Sequence, residues 1–485
     1  MPRIVRVPAA LAAALCLSAC ASSNPASEGM GLNAAQAEAP APVVKTAALP
    51  EPVVVPVTAT RAVSGPAARS SASALGLQAA VDRAVDWHPA VAEAVGRLNQ
   101  SSAEIAIARA GYRPQISTGM NSRYNSYDRD GWRPRLNVTG SQMLYDFGKV
   151  SSEVGAREAL ENVSRAQLLV AVDTLIRDTA QAVIEVQRSR ALRAVAEEQL
   201  EGIRAIADLV SQRSGQGAST RSDDIQARAR VEAAQSTLLQ IEAEVSRWEG
   251  ILAAFMGATG GTFAVDENVP PWLMSSCTSA GNLDWSRVPA MMEADARREE
   301  AVALLKGSRA NSLPTVSLEA GAGYDLNENS FSRQSRDQED FNIGLNVSSK
   351  LYEGGAGGAR REAASHALIA AEAARENARF QVNRSLAEAR GQLSDLSRLQ
   401  ASLASRSAMM AQTRDLYRQQ YFELGTRTLL DLLNSEQELH SAMFDTVNTA
   451  HDVRRLNTDC LFNSGQTRQA FRMGGKTVRG VALDS

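Results

Sequence analysis

The sequence predicts a mainly α-helical protein with a small membrane β part, built from a duplicated helix–strand–strand–helix–helix unit. Three observations predict this fold class. Several motifs recur in the same order, two long stretches lack proline and are rich in helix-forming residues, and four short segments alternate apolar with polar residues. Because neither copy of such a unit can close a core or a sheet alone, we expect the function to belong to an assembly.

The duplication is carried by matching motifs that lie about 200 to 208 residues apart. Gly217-Ala-Ser-Thr-Arg-Ser-Asp223 recurs as Gly425-Thr-Arg-Thr-Leu-Leu-Asp431, and Leu144-Tyr-Asp-Phe-Gly148 recurs as Leu351-Tyr-Glu-Gly-Gly355. The motifs that begin at Gly217 and Gly425 each follow a long helical stretch, so they predict tight turns between antiparallel helices.

These motifs and the changes in composition divide the chain into six segments. In order they are a signal peptide at 1–19, a lipidated flexible tether at 20–74, a first repeat at 75–256, a linker at 257–284, a second repeat at 285–465 and a C-terminal tail at 466–485. The predicted strands lie at about 115–125 and 134–146 in the first repeat, and at about 314–324 and 341–352 in the second.

The N-terminus has the pattern of a bacterial secretory signal. Arg3 and Arg6 precede an apolar stretch, Val7–Leu17, which is too short to span a bilayer because a helix needs roughly 20 residues to do so. The stretch ends in Leu-Ser-Ala-Cys20, which resembles a lipobox in which Cys20 takes lipid and becomes the mature N-terminus. Ala21, rather than Asp, follows the cysteine and favours the outer membrane. The alternative is an ordinary signal that is cleaved nearby.

The strand segments alternate apolar and polar side chains over about ten residues each, which is the length of a transmembrane β-strand. The alternation is clearest from Phe341 to Val347 and from Val316 to Tyr324, and polar loops join the strands of each pair. A soluble, half-buried sheet has the same period and is the alternative. Four strands cannot close a barrel in lipid, so a membrane sheet requires oligomerisation, most simply a homotrimer that shares one 12-stranded β-barrel.

The two proline-free stretches, 151–212 and about 355–422, predict very long helices. At a rise of 1.5 Å per residue the first is a rod of roughly 90 Å. Each reverses into a shorter helix, at about 221–256 and 429–464. Apolar residues at coiled-coil spacing predict two seams, formed by Leu168, Val172, Leu175 and Thr179 in one helix and by Leu393, Leu396, Leu399 and Leu403 in the other.

Composition and residue pattern indicate no catalytic site, no metal site and no cofactor. The formal net charge of −3 argues against nucleic acid as a partner. The 4 histidines are scattered, and Gly354-Gly-Ala-Gly-Gly358 lacks the Lys-Ser/Thr ending of a phosphate loop. Cys277 and Cys460 lie beyond the signal region and are candidates for a disulfide in an oxidising compartment, although the sequence does not establish that they are close.

On these residues the chain resembles the TolC-like outer-membrane exit ducts over about residues 75–465. The most specific stretch runs from Gly425 to Leu433 and is followed by Glu436-Gln-Glu-Leu439. The resemblance implies a homotrimer whose 12-stranded β-barrel continues into a 12-helix α-barrel across the periplasm, with residues 257–284 near an equatorial belt. It also implies that the tips meet a periplasmic adaptor protein, which links the duct to an inner-membrane ABC or RND-type pump.

The resemblance assigns a periplasmic gate to the tips of the helices. It places Asp431 in a ring of carboxylates, which favours cations, and it implies that Ser222, Asp223 and Arg427 latch neighbouring coiled coils. Arg427 is expected to pair with Asp223 or with a neighbouring carbonyl. The residues implied to dock the adaptor are Gly217, Ala218, Ser219, Gly425 and Thr426.

Two positions depart from the pattern of the family at the gate. Asn434 stands where a second acid is expected, and Phe422 stands at the aromatic latch position without a hydroxyl, while the adjacent Tyr421 is expected to face elsewhere. A simpler interpretation of the tips uses the same spacing. In each copy a threonine precedes an aspartate by three residues, which is the pattern of a capping box at a helix start.

The function predicted from these features is a passive outer-membrane channel of a tripartite export system. Its cargo is either polypeptide, as in type I secretion, or small toxic compounds, as in multidrug efflux. The alternative is a lipid-anchored periplasmic coiled-coil structural or adaptor protein of the cell envelope. The membrane-like strands argue against that alternative, and the chain has no segment that resembles the lipoyl-like β domain of adaptors.

The lipid anchor is testable at Cys20. Replacing it by serine (Cys20→Ser) removes the thiol that accepts lipid, so we expect the loss of lipid attachment and continued trimer assembly, because twelve strands supply most of the burial in the membrane. Labelling with radioactive palmitate is the measurement. Absence of label on the native protein would show that the lipobox interpretation is wrong.

Overall fold

Helices make up most of the chain that the structure describes. The computed structural model describes residues 74–124, 132–258, 264–279, 283–326 and 339–483. The predicted signal peptide, the lipidation site Cys20 and nearly all of the tether lie outside these residues, as do most of the loops within the strand pairs. None of the described helices is both long enough and apolar enough to cross a membrane.

The first repeat follows the predicted order of elements. Its bounds are α1 (Leu77–Trp87), α2 (Pro89–Arg109), β1 (Gln115–Tyr124), β2 (Trp132–Tyr145), α3 (Lys149–Gly215) and α4 (Arg221–Phe255). The start of α2 shows why the helix begins there. Pro89 occupies the first helical position, where a missing N–H costs nothing, and His88 Nδ1 accepts a hydrogen bond from the Ala90 N–H at 3.2 Å.

The second repeat has the same order after two short helices in the linker. Its bounds are α5 (Pro271–Met274), α6 (Ser276–Ser279), α7 (Pro289–Ala310), β3 (Thr315–Asp325), β4 (Glu339–Ser348), α8 (Ala356–Gln419) and α9 (Leu429–Asn463). The C-terminal segment adds α10 (Thr467–Ala470), β5 (Thr477–Val478) and β6 (Val481–Ala482). The prediction of a mainly helical chain with a small β part is therefore confirmed.

The four long strands form one antiparallel sheet in the order β1-β2-β3-β4. β4 ends at Ser348, before the predicted end at 352, because Ser348 pairs with Thr315, the first residue of β3. One face of β4 is apolar and 65 to 79% exposed. It is formed by Phe341, Ile343, Leu345 and Val347. Within the described chain, β1 and β4 are the edges of this sheet.

The long helices form a layer in which α3 is central. α3 packs against α4 and α9 along one part of its length and against α2 and α7 along the other, and α8 packs against α9 and α7. The predicted seam of α3 is buried at all four positions, whereas in α8 only Leu403 is buried and Leu399 is 45% exposed. The seam of α8 therefore differs from the prediction, because α8 lies at the edge of the layer and has neighbours on one side.

The C-terminal segment is part of the main core. Phe471, Met473, Val478 and Leu483 are buried in the cluster that joins α1 to α3. Lys476 Nζ adds ion pairs of 3.2 and 3.0 Å to two aspartates of α1. The sequence interpretation of residues 466–485 as a tail did not anticipate this packing, because the apolar residues are too widely spaced to form a helical or strand pattern.

One buried ion pair fixes this segment to α3. Arg468 Nε lies 3.4 Å from Asp173 Oδ1, and both side chains are more than nine-tenths buried. The carboxylate oxygens of Asp173 have no hydrogen-bond partner within the described chain. Burial raises the pKa of Asp173 to about 7, and the nearby Arg468 guanidinium only partly offsets the effect.

This raised pKa predicts how stability depends on pH. The ordinary pKa of the carboxyl is 3.8, so between about pH 4 and pH 7 only the folded state retains the proton. The contribution of Asp173 to the free energy of unfolding is present below about pH 4 and is lost as pH rises towards 7, by at most about 1.4 kcal/mol per pH unit. Asp173→Asn should flatten this slope in thermal unfolding of the detergent-solubilised protein. An unchanged slope would contradict the prediction.

The two candidate cysteines meet in the same region. Cys277 of α6 and Cys460 near the end of α9 are 5.2 Å apart at Cα, and their sulfur atoms are paired as a disulfide. Both residues are buried beside Ala389 of α8. A bond across a sequence separation of 183 residues ties the linker to the last long helix.

The pairing is testable by thiol labelling without reductant. We expect no reactive thiol from Cys277 or Cys460 in the native or the denatured protein, and two after reduction. Restriction of the unfolded chain by so long a loop stabilises the fold by about 5 kcal/mol in the chain-entropy model. Two reactive thiols per chain after denaturation alone would refute the pairing.

Candidate functional site: the paired helical tips

Each repeat reverses direction in a glycine-containing turn, and the two turns lie side by side. At the first tip Gly217 has a φ of 75°, and the Ala218 N–H bonds to the Arg213 carbonyl at 2.8 Å. At the second tip a π-helical turn, Gln420–Leu424, precedes Gly425, which has a φ of 63°. Both glycines adopt the left-handed conformation that residues with a Cβ avoid.

Both tips contain a complete capping box. The Thr220 hydroxyl accepts from the Asp223 N–H at 3.1 Å, and Asp223 Oδ2 accepts from the Thr220 N–H at 3.1 Å. Thr428 and Asp431 repeat the arrangement at 3.2 and 3.3 Å. At the start of α4 and of α9, the side chains of the threonine and the aspartate therefore each satisfy the backbone N–H of the other.

The carboxylate of Asp223 is held in its charged form. The backbone N–H of Thr220 and the hydroxyls of Thr220 and Ser219 keep the pKa of Asp223 below its ordinary value. Asp431 has similar partners and keeps 40% of its side chain exposed. The tips thus carry one capping aspartate each, and both aspartates are partly exposed.

Arg427 contacts its own tip rather than the other. Its Nε donates to Gln420 Oε1 at 3.1 Å, its guanidinium lies 4.4 Å from the centre of the Tyr417 ring, and Nη1 is 4.0 Å from Asp431 Oδ2. Within one described chain these contacts take the place of the expected pairing with Asp223. The reason is local, since the tight turn directs residue 427 back along α8.

The two aromatic residues of the second tip pack together between the tips. The rings of Tyr421 and Phe422 are 4.8 Å apart, and both contact the cluster that contains Ile206 and Val210 of α3. Arg213 bridges the tips by donating from Nη1 to the Phe422 carbonyl at 3.2 Å. The expectation that Tyr421 faces elsewhere is wrong, because Tyr421 is buried in this cluster and Phe422 packs against the same cluster.

The remaining predicted tip residues are largely open to solvent. Ser219 is half-buried, where its hydroxyl donates to Asp223 Oδ2 at 3.0 Å. The exposed ones are Gly217, Ala218, Ser222, Gly425 and Thr426. Asn434, the position of the expected second acid, is also exposed and accepts a hydrogen bond from Arg230 Nη2 at 3.3 Å.

Sequence reasoning missed a buried glutamate–histidine hydrogen bond just above the second tip. Glu436 is 2% exposed and His440 is fully buried, and Nε2 of the histidine lies 3.1 Å from Oε1 of the glutamate. The available signal was their four-residue spacing on the apolar face of α9. In the described ranges no three His, Cys, Asp or Glu side chains converge as a metal site requires.

The family model and the related proteins that match this sequence all point to the same family of outer membrane proteins. The sequence model of the family described as "Outer membrane efflux protein" matches residues 80–258 and 285–456. Protein CyaE of Bordetella pertussis is 28% identical over 335 residues, which cover 65% of this chain and 68% of that protein. Outer membrane efflux protein BepC of Brucella suis is 24% identical over 373 residues, 72% of this chain and 76% of that one.

Solved structures share the fold at lower identity. The outer membrane protein VceC of Vibrio cholerae superposes with a TM-score of 0.70 at 20% identity, covering 80% of this chain and 96% of that one. The MtrE outer membrane channel of Neisseria gonorrhoeae gives 0.66 at 18% identity, with 80% and 88% covered. Because the family model matches both repeats and most of the chain, the chain belongs to the outer membrane efflux protein family.

Proposed function

We propose that the chain is the outer-membrane channel of a tripartite export system and works as a passive homotrimeric duct. The observation that carries the proposal is that the sheet and the helical layer both end in unpartnered edges. Within the described chain β4 pairs only with β3, and β1 only with β2. α8, which follows β4, exposes large apolar side chains along its length, namely Ile369, Phe380, Leu399, Met409 and Leu416.

Closure by three copies satisfies both edges at once. If β4 of one protomer pairs with β1 of the next, three four-stranded sheets give a barrel of twelve strands, within the range of closed membrane barrels. The same rotation lays α8 against α2 and α4 of the neighbour, which buries its apolar side chains and gives a tube of twelve helices. The exposed apolar face of β4 then contacts lipid.

The tips are the proposed periplasmic gate and docking end. Three copies of Asp431 around the axis form a ring of negative charge, which favours cations. Ser222, Asp223, Arg427 and Phe422 are proposed to hold the closed arrangement. The adaptor is proposed to contact the tip residues Gly217, Ala218, Ser219, Gly425 and Thr426.

The energy for transport is proposed to come from an inner-membrane ABC or RND-type pump, to which a periplasmic adaptor connects the duct. The proposed cargo is either polypeptide or small toxic compounds, because a wide passive tube admits both.

The competing function is a lipid-anchored coiled-coil structural or adaptor protein. The apolar face of an open-edged sheet favours the duct, since such a face is costly in water.

The assembly is testable by measuring the mass of the detergent-solubilised native protein. We expect a stable homotrimer, because only shared closure pairs the backbone groups of β1 and β4 in lipid. The β content is measured on the same sample by circular dichroism. A monomer with full β content would contradict the proposal and favour the structural or adaptor role.

The gate is testable by planar-bilayer recordings of two tip variants. Asp431→Ala should lower cation preference and weaken block by multivalent cations, and loss of the cap costs about 1 kcal/mol per helix. Arg427→Ser should raise conductance, because its contacts with Gln420 and Tyr417 stiffen the turn.

A matched control is Asp395→Ala, which removes an exposed carboxylate from the middle of α8 and should change neither property. If Asp431→Ala and Arg427→Ser both behave like this control, with normal trimer yield, the tip residues have only the capping role.

A further inference from the structure

The junctions between strands and long helices are rich in cations. The chain has five lysines, and three of them lie at these junctions. Lys149 begins α3, Lys306 lies near the end of α7, and Lys350 follows β4. Arginines stand at the end of α7 and in the first turns of α8. We call these cations the basic collar: Lys149, Lys306, Arg309, Lys350, Arg360 and Arg361.

Three contacts bring the basic collar to one level of the molecule. Lys149 Nζ donates to Thr315 Oγ1 at 2.7 Å, so the start of α3 lies against the start of β3. A Cβ atom at Gly307 would lie 3.3 Å from Ser152 Cβ, so the end of α7 lies against the first turn of α3. Thr315 also pairs with Ser348, the last residue of β4. The basic collar therefore lies at the end of the sheet that adjoins the helices.

The apolar face of the sheet extends to this level. Val316 of β3 pairs with Val347 on one side and with Tyr145 on the other, and residues directly opposite each other share a face of a sheet. The ring of Tyr145 packs edge to face with that of Phe147 at 4.6 Å between centres. Aromatic side chains flank the apolar band of membrane barrels. In the proposed duct, the basic collar thus adjoins the headgroup layer of the membrane.

A cavity of about 270 Å³ opens within the basic collar, between the end of α7 and the start of α8. Lys350, Arg360 and Arg361 line it. Leu351 and Tyr352 line it as well, and they are 96% and 88% exposed. Cations and exposed apolar side chains therefore border the same space. A phospholipid presents the complementary combination, because its phosphate is bonded to an apolar tail through glycerol.

The carboxylates of the junctions leave part of this positive charge unpaired. Glu353 pairs with both Lys350 and Arg360, at 2.8 and 2.7 Å. The other carboxylates are engaged elsewhere: Asp146 with amides of α3, Glu153 with Arg157, and Glu362 beside His366. Among the described residues, no ion pair is formed by three members of the basic collar, Lys306, Arg309 and Arg361.

The neighbouring protomer of the proposed ring adds cations at this level rather than acids. α8 would lie against α2 of the neighbour, and α2 ends at Arg109, shortly before β1 begins. Arg109 is already paired with Glu158 of its own chain at 2.7 Å, and Arg113 follows it in the connection to β1. Ring closure therefore maintains the positive charge of this level. An anionic partner outside the protein fits it.

We propose that the basic collar binds the headgroups of anionic phospholipids in the membrane leaflet that faces the periplasm. The inference rests on the proposed duct function and names a lipid partner for it. Lysines and arginines beside a membrane surface are attracted by anionic headgroups, and the attraction acts only over about a Debye length. Binding at the junctions would hold the duct at one depth, with the sheet in lipid and the long helices in the periplasm.

The test is native mass measurement of the detergent-solubilised full-length protein, titrated with phosphatidylglycerol or with zwitterionic phosphatidylcholine. We expect the trimer to retain phosphatidylglycerol in preference. The variant with Lys306→Gln, Arg309→Gln and Arg361→Gln removes the three unpaired cations. It should lower the affinity for phosphatidylglycerol by about fivefold per cation and leave retention of phosphatidylcholine unchanged.

Two further variants serve as controls. Arg228→Gln, Arg247→Gln and Arg398→Gln together make the same change in charge at side chains that are 68%, 58% and 79% exposed on the long helices. This variant should keep the preference for phosphatidylglycerol. The variant with Lys306→Arg, Arg309→Lys and Arg361→Lys conserves the charge of the basic collar, and it should keep the preference too.

The outcomes separate lipid binding from the duct itself. A monomer in every sample overturns the duct function, and the lipid site with it. A trimer that retains both lipids equally, or whose glutamine variant keeps the preference, overturns the lipid site alone. If that variant keeps the preference and loses anion passage in planar bilayers, the cations face the lumen. If it loses the trimer while the charge-conserving variant keeps it, the cations bind the neighbouring protomer, and the lipid site is again overturned.

Discussion

The unpaired backbone edges of the four-stranded sheet are the constraint on which the rest of the structure depends. β1 and β4 are its outer strands within the described chain, and an edge of this kind cannot remain open in lipid. The helical layer also has an uncovered edge, since α8 buries little of its surface while α3 is buried along most of its length. The proposed ring of three protomers supplies neighbours that would pair these edges and cover the exposed apolar surface.

The two repeats preserve the turns at their tips and diverge where strands join helices. Asp146 accepts from the Gly148 and Val150 N–H groups at 2.9 and 2.6 Å and so caps α3. Its counterpart Glu353 instead pairs with Lys350 and Arg360 at 2.8 and 2.7 Å. The longer glutamate side chain reaches these cations across the glycine-rich start of α8. The two repeats thus share the capping boxes at the turns between their long helices. Their strand-to-helix junctions use different contacts.

Buried charged side chains join α3 and α9 to elements that are distant in sequence. Asp173 with Arg468 joins the C-terminal segment to α3, and Glu436 with Arg414 joins α9 to α8. Apolar seams alone permit sliding by a turn, because leucine and alanine packing is similar one turn further along. Two oppositely charged buried side chains approach each other at one register only, and separating them leaves an uncompensated charge in the interior.

The sequence by itself determined the order of the elements, the lengths of the helices and the two capping boxes. These features depend on periodicity and on contacts within about four residues, which can be read locally. Only the tertiary structure decided that Tyr421 packs beside Phe422, that Arg427 contacts Tyr417, and that Glu436 is buried against Gly202. It also decided that the C-terminal segment enters the core, where Gln78 donates to a carbonyl 393 residues away. Such contacts join distant residues whose separation in space no local pattern encodes.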